Sequence, residues 1–170
     1  MSNIMVNRLE NSTVNTILSC FDKYKYNKLN QQNIEKLCTF NGIQTKNVLG
    51  LDDFQRDSKF QECLKKVLHN AERGLKLKLK YYWVHLIEYE RGGFQAEHNH
   101  AHNEDYTSVL YLNTCRGGET YFNMESQPFV SFSPEKRKMI TFPSHLDHGA
   151  RKTSSWFVNK KVMICGMRVL

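Results

Sequence analysis

The chain has 170 residues, with 24 Lys and Arg against 17 Asp and Glu and a formal net charge of +7 at pH 7. This length suits one domain with its own core. The five cysteines are odd in number and form no C-x-x-C pair, which argues against a disulfide framework and a zinc ribbon. No apolar run is long enough for a transmembrane helix and no secretory leader opens the chain, so we expect a soluble cytoplasmic protein with reduced thiols.

The first part of the chain has the spacing of helices. Apolar residues recur at intervals of three and four over positions 14–21 and again over positions 54–68. The pair Asp52-Asp53 offers an N-cap for the second helix, and Gly74 offers a C-terminal stop. We therefore predict that residues 1–75 form helices that pack as a buttress against the rest of the domain.

Beyond this point the sequence becomes strand-like. Leucines alternate with lysines from Leu75 and lead into an aromatic and β-branched run that ends at Ile87. The same patterning predicts five further strands, at 106–113, 119–122, 129–132, 138–142 and 158–170. Turn signals separate the strands, at 92–93, 116–118, 133–134 and 143–144. Short strands at this spacing predict a barrel or sandwich. We therefore predict one domain, residues 1–170, that is mainly β and has its β core at residues 76–170.

Five of the seven histidines lie between positions 98 and 148. Imidazole is the commonest protein ligand for iron, zinc, copper and nickel. Side chains two apart on a strand face the same way, so His98 and His100 can hold one ion between them. The alternative is a histidine-rich surface loop, which predicts no organised partner downstream. Here an apolar strand that ends at Phe142 leads directly to His145 and His148, which favours a metal site.

Four motifs surround these histidines in order. They read Y-x-x-G-G-x-x-x-x-H-x-H at 89–100, Y-L-N at 111–113, G-G-E-T-Y-F at 117–122 and F-P-S-x-x-x-H at 142–148. Together they resemble the prolyl-4-hydroxylase-like branch of the Fe(II)/2-oxoglutarate-dependent oxygenases, including its small microbial and phage-encoded members. The resemblance implies a double-stranded β-helix, a jelly-roll and cupin-like fold, with the metal at its open end. It also fits a phage- or virus-encoded origin.

The same resemblance implies an enzyme, a hydroxylase that uses Fe(II), 2-oxoglutarate and O2 and couples decarboxylation to succinate with oxidation of a second substrate. It makes His98 and His148 iron ligands and places His100 where the family has an aspartate. Three neutral imidazoles are reasonable iron ligands, and they also suit zinc. Two alternatives stay open for the third ligand: His102 and Glu104 have H-x-E spacing, and Asp105 could supply the carboxylate.

Binding of 2-oxoglutarate requires a cation for its distal carboxylate. The resemblance places this cation at the start of the last strand, where Lys160 and Lys161 are neighbours and only one of them can face inward. We expect Lys161 to do so, because its face of the strand also carries two methionines and a cysteine. Tyr111 and Thr120 hold positions that imply hydroxyl donors to the same carboxylate.

The second substrate is open at this stage. A charge of +7 suits an acidic protein, a peptide or a nucleic acid, and a free amino acid also fits; we expect no membrane partner. A nucleic-acid-binding protein is one alternative, with Lys76, Lys78 and Lys80 on one strand face to contact phosphates. Another is a cupin-like metalloprotein with three histidine ligands, a dioxygenase or a zinc-binding protein that does not use 2-oxoglutarate.

Overall fold

The structure is a computed structural model and describes residues 4–24, 27–123 and 129–170. Its helices are Asn11–Tyr24 (α1), Gln31–Lys36 (α2), Asp52–Gln55 (α3) and Ser58–Leu75 (α4). Its strands are Met5–Arg8 (β1), Thr39–Gln44 (β2), Leu79–His98 (β3), Tyr106–Tyr111 (β4), Thr120–Phe122 (β5), Val130–Phe132 (β6), Lys138–Pro143 (β7), His148–Ala150 (β8) and Lys160–Val169 (β9). None of the helices in these ranges combines the length and the apolar character that crossing a bilayer requires.

One curled antiparallel sheet carries the fold. Its strands follow the order β1-β7-β4-β9-β3-β8-β5-β6, and β2 adds to β3 outside this path. The 20-residue strand β3 connects two parts of this sheet, because its first part pairs with β9 and its end pairs with β8. This architecture confirms the prediction of a mainly β, jelly-roll core with N-terminal helices.

The segment before residue 76 contributes strands as well as helices. β1 pairs with β7 and β2 pairs with β3, and the sequence patterning predicted neither strand. The N-cap of α4 is Asp57, whose side chain accepts a hydrogen bond from the backbone N–H of Phe60 at 3.0 Å; the pair Asp52-Asp53 instead begins the short α3. The helix continues past Gly74 and ends at Leu75, and its C-cap residue Lys76 has a left-handed φ of 58°.

The turn predicted at Gly92 and Gly93 is wrong, because β3 continues through both residues. The register between β2 and β3 shifts here, which makes the segment a bulge. Gly92 has a φ of 80°, and a Cβ on Gly93 would lie 2.4 Å from the backbone oxygen of Asn41. Both positions therefore require glycine. A bulge bends the strand that bears it, and this one lies between the parts of β3 that pair with β9 and with β8.

The last strand, β9, is buried on both of its faces. One face places Met163 and Cys165 in a core with side chains of α1 and α4, including Phe60. The opposite face places Val162 and Ile164 in a second core, inside the curl of the sheet. Because both faces are apolar, the alternation of residues in β9 does not reveal which face points into the jelly roll.

The helical core generates a stability prediction. The buried Phe60 ring lies 5.2 Å from the Tyr24 ring and 5.8 Å from the Phe54 ring, measured between centroids. Phe60→Ala should lower the free energy of unfolding by about 3–5 kcal/mol, because it removes buried apolar surface and leaves a cavity. Val6→Ala, at a position that is 47% exposed, is the control and should change it by roughly 0.5 kcal/mol or less. Urea denaturation measures both, and a wild-type midpoint for Phe60→Ala would contradict a buttressing role of the helices.

Candidate metal centre

Three histidine side chains meet where β3 and β8 come together. His98 is the last residue of β3 and His148 the first residue of β8, and the two are cross-strand partners. His100 follows two residues later, and its Nε2 lies 3.1 Å from Nε2 of His98. One ring nitrogen from each residue lies within 4.8 Å of the other two. This is an arrangement from which three imidazoles can bind one metal ion.

The structure brings the three predicted ligands together and separates the alternatives from them. His102 and His145 are exposed. Asp105 is exposed too, and its carboxylate accepts a hydrogen bond from the backbone of β9 at 2.9 Å. Glu104 is buried, but its Oε1 lies 3.5 Å from Nδ1 of His100, on the side of the ring away from the nitrogen that faces His98.

Backbone carbonyls orient two of the three rings. Nδ1 of His98 lies 2.8 Å from the oxygen of Ala96, and Nδ1 of His148 lies 2.8 Å from the oxygen of Leu146. Each Nδ1 carries the proton in order to donate to its carbonyl, so Nε2 of the same ring keeps its lone pair. A second hydrogen bond of this kind, which fixes the tautomer and the ring plane, is typical of metal-binding histidines.

Burial keeps the histidine cluster neutral. Burial, with a smaller contribution from the nearby His98 ring, lowers the pKa of His148 to about 3 and the pKa of His100 to about 4. Burial also lowers the pKa of His98. Neutral imidazole is the form that binds a metal, so protons compete little with a metal ion at neutral pH.

A buried carboxylate lies behind the His100 ring. The Glu104 side chain has no exposed surface, and neither of its oxygens has a hydrogen-bond partner among the described residues. Burial raises the pKa of Glu104 to about 7, and the nearby Trp83 and Thr107 side chains limit the rise. The sequence had indicated Glu104 only as an alternative ligand.

A cavity of about 600 Å³ opens beside the cluster. Its wall includes the three histidines together with Tyr89, Thr120, Lys160, Val162 and Ile164. Lys160 is only 2% exposed, its Nζ donates a hydrogen bond to the oxygen of Gly118 at 2.8 Å, and it lies 4.8 Å from the centroid of the Tyr89 ring. Burial lowers the pKa of Lys160 to about 8. The cavity wall therefore contains both three neutral imidazoles and one buried lysine amine.

The expectation that Lys161 faces inward is wrong. Lys161 lies on the opposite face of β9, with its Nζ 3.8 Å from the Glu88 carboxylate and 4.9 Å from the centroid of the Phe21 ring. The methionines that share its face pack against the helices, not around the cavity. The error arose because β9 is apolar on both sides, and Lys160 is the lysine that lines the cavity.

Tyr111 and Thr120 are adjacent, as the motifs implied, but they differ in their access to the cavity. The Tyr111 hydroxyl is buried, 2.7 Å from Oγ1 of Thr120 and 3.1 Å from the oxygen of Phe132. Thr120 lines the cavity and Tyr111 does not.

The sequence analysis missed Tyr89, whose buried hydroxyl has no hydrogen-bond partner in the described ranges. Its position at the start of the Y-x-x-G-G motif was the available signal.

The cluster geometry predicts how single histidines affect metal binding. His148→Ala should abolish binding of one Fe(II), Mn(II) or Co(II) per chain, because it removes one of three convergent donors. His145→Ala is the matched control, since His145 is three residues away and exposed, and it should bind as the wild type does. Metal content after dialysis measures both variants. Equal metal content in the two variants would overturn this ligand assignment.

Comparison with known proteins gives structural neighbours only. No family model matches the chain, and no curated protein matches its sequence. A prolyl-4-hydroxylase from Pseudomonas putida superposes with a TM-score of 0.71 at 14% identity, covering 99% of this chain and 93% of that one. The viral collagen prolyl hydroxylase of Paramecium bursaria Chlorella virus-1, in its 2-oxoglutarate complex, gives a TM-score of 0.64 at 16% identity and covers 98% and 96%.

A third neighbour is a prolyl hydroxylase from Trichoplax adhaerens in complex with a peptide fragment of the hypoxia inducible factor oxygen degradation domain. Its TM-score is 0.68 at 15% identity, with 97% of this chain and 82% of that chain covered. At identities this low, the superpositions establish a common fold only. The chemistry has to be argued from the site. The predicted resemblance is confirmed at that level: this chain has the fold of the prolyl-4-hydroxylase-like Fe(II)/2-oxoglutarate oxygenases.

Proposed function

We propose that this protein is an Fe(II)- and 2-oxoglutarate-dependent oxygenase, and that it acts as a hydroxylase of the prolyl-hydroxylase type. One observation carries the proposal. Three convergent histidines and a buried lysine line the same cavity, inside a fold that the oxygenases above share. A metal ligand set and a separate buried cation are the two features that a metal-chelating dicarboxylate requires.

The three histidines suit a resident iron ion. His98, His100 and His148 supply three nitrogen donors, and burial holds all three rings neutral. Three protein ligands would leave the other coordination positions of such an ion to small molecules. Bound iron would supply the redox chemistry that links decarboxylation of 2-oxoglutarate to oxidation of the second substrate.

Lys160, Tyr89 and Thr120 are proposed to hold the distal carboxylate of 2-oxoglutarate. No carboxylate of the described chain lies within ion-pair distance of the Lys160 ammonium, so its charge is available to a ligand. Further donors are the Tyr89 hydroxyl, which has no hydrogen-bond partner among the described residues, and the hydroxyl of Thr120, a residue that lines the cavity. Tyr111 then orients Thr120 through the 2.7 Å contact between their oxygens. A buried ammonium is costly until an anion pairs with it, which favours occupation by the dianion.

A second candidate rests on the identity of the third ligand. His100 adds a neutral nitrogen where a carboxylate would lower the charge of the site, and three neutral imidazoles also suit zinc. A cupin-like dioxygenase or zinc-binding protein that does not use 2-oxoglutarate would need no buried cation in the cavity. The position of Lys160 is therefore the feature that favours the first candidate.

For the second substrate we propose a peptide or an acidic protein segment. The net charge of +7 favours an acidic partner, and the Trichoplax neighbour is bound to a peptide. The lysine face that suggested a nucleic-acid partner is not formed. Lys76 caps α4, Lys78 precedes β3 and lies 3.7 Å from the Glu72 carboxylate, and only Lys80 belongs to the strand.

Turnover of the cosubstrate tests the proposed function. The iron-loaded protein, supplied with O2 and 2-oxoglutarate, should release succinate even without its second substrate, at a slow uncoupled rate. The His148→Ala variant should release none above background. Iron binding by the wild type without any succinate formation would favour the three-histidine metalloprotein that does not use 2-oxoglutarate.

The two neighbouring lysines give a matched pair of variants. Lys160→Ala should weaken 2-oxoglutarate binding by roughly ten- to a hundred-fold, because a buried charge-assisted bond is worth about 1.5–3 kcal/mol. Lys161→Ala removes the same charge from the outer face of β9 and should bind 2-oxoglutarate normally. Calorimetric titration of the Mn(II)-loaded variants measures both affinities. An unchanged affinity in Lys160→Ala, or a loss confined to Lys161→Ala, would place the anchor elsewhere.

The lowered pKa of Lys160 predicts a pH dependence of 2-oxoglutarate affinity. The ammonium is charged below a pKa of about 8 and loses its proton above it. Affinity should therefore be highest below pH 8 and fall by about tenfold per pH unit above it. In Lys160→Arg the guanidinium stays charged, so the fall should disappear. Titrations of the Mn(II)-loaded proteins between pH 7 and pH 10 provide the test, and a constant wild-type affinity would exclude Lys160 as the anchor.

A further inference from the structure

His100 differs from the other two histidines in what lies at its Nδ1. His98 and His148 each place Nδ1 2.8 Å from a backbone carbonyl. Nδ1 of His100 instead faces the Glu104 carboxylate, with Oε1 3.5 Å away. This separation is within ion-pair range but longer than a formed hydrogen bond. The side chain of Glu104 therefore occupies the place that a carbonyl oxygen occupies for the other two ligands.

The environment of Glu104 is unusual for a structural residue. Its side chain is fully buried. Trp83 and Thr107 lie close enough to lower its pKa, but in the described part of the chain neither carboxylate oxygen has a formed hydrogen bond. Burying a carboxylate without partners opposes folding. A group of this kind calls for a specific explanation, and its orientation toward a proposed metal ligand supplies one.

We propose that Glu104 is a positioning residue for the metal, acting through His100. The carboxylate accepts the Nδ1–H of His100, fixes the tautomer that leaves Nε2 free, and lends negative charge to the ring. This inference rests on the proposed function, because it takes the three histidines as the metal ligands. In this role Glu104 is separated from the ion by the His100 ring. Its negative charge would partly replace the charge that a directly bound aspartate would provide.

Simple geometry and charge support this role. A formed N–H···O⁻ bond is about 2.8 Å long, so the ring and the carboxylate must approach by roughly 0.7 Å when the metal binds. Three neutral imidazoles leave the full charge of a divalent ion uncompensated, whereas a carboxylate hydrogen-bonded to one imidazole raises its basicity toward the metal. Glu104 cannot do this by direct ligation as placed, because it contacts the Nδ1 side of His100 while Nε2 faces His98.

Glu104→Gln tests the proposal, because it keeps the shape of the side chain and removes its charge. The dissociation constant for Co(II), followed by the visible absorption of the bound ion, should rise by about ten- to a hundred-fold. The unfolding midpoint of the metal-free variant should equal or exceed that of the wild type, since an unpaired buried carboxylate is lost. A merely structural residue would instead lower the midpoint of the metal-free protein. Asp105→Asn is the matched control, and its Co(II) affinity should equal that of the wild type.

A double-mutant cycle separates action through His100 from direct ligation. In a His100→Asp background the ring is absent, so adding Glu104→Gln should leave Co(II) affinity unchanged or improve it by relieving repulsion between carboxylates. If Glu104 ligated the metal itself, the same change would weaken binding in both backgrounds. That second outcome overturns the positioning role.

The cycle also distinguishes failure of this inference from failure of the proposed function. Wild-type Co(II) affinity in Glu104→Gln, together with loss of binding in His148→Ala, overturns the role of Glu104 and leaves the metal site standing. Equal binding of Co(II) by the wild type and His148→Ala overturns the metal site and the inference with it.

Discussion

The pairing of His98 with His148 across β3 and β8 is the constraint on which the site depends. These residues are far apart in sequence, and only the curl of the sheet makes them cross-strand partners. The length of β3 makes this possible, because one strand pairs with β9 along its first part and with β8 at its end. The glycine bulge within β3 separates the two parts. The backbone then holds both imidazoles in place through carbonyls two residues before each ring.

The site contains a neutral metal-binding cluster and two buried ionisable groups, Lys160 and Glu104, that have no oppositely charged partner beside them among the described residues. The histidine cluster is neutral through burial, and the Lys160 ammonium contacts a carbonyl and aromatic rings but no carboxylate of the described chain. The Glu104 carboxylate likewise has no hydrogen-bond partner among the residues that the structure describes. A divalent metal beside the histidines and a dicarboxylate beside the lysine would together resolve these deficits. Buried charges without partners lower the stability of the ligand-free protein, and pairing them with the ligands would strengthen binding.

The sequence was sufficient for the features that rest on motifs and long periodic segments. It predicted α1, α4, the strands from β4 onward except β8, the jelly-roll core and the three histidines that meet. The sequence analysis failed where the structure depends on contacts between residues that are distant in the sequence. The four-residue β1 is too short for its alternation to be distinctive, and the choice between Lys160 and Lys161 depended on which apolar face of β9 the helices cover. The orphaned state of Glu104 is likewise a property of packing, which no local pattern contains.

The dependence of 2-oxoglutarate binding on the metal tests the central claim most directly. Anaerobic calorimetry would compare the iron-loaded protein with the metal-free protein under otherwise identical conditions. If iron held by the histidines binds one end of 2-oxoglutarate and Lys160 binds the other, the iron-loaded protein should bind about one 2-oxoglutarate per chain, and the metal-free protein should bind it far more weakly. Equal binding with and without iron, or iron binding with no uptake of 2-oxoglutarate, would contradict the account.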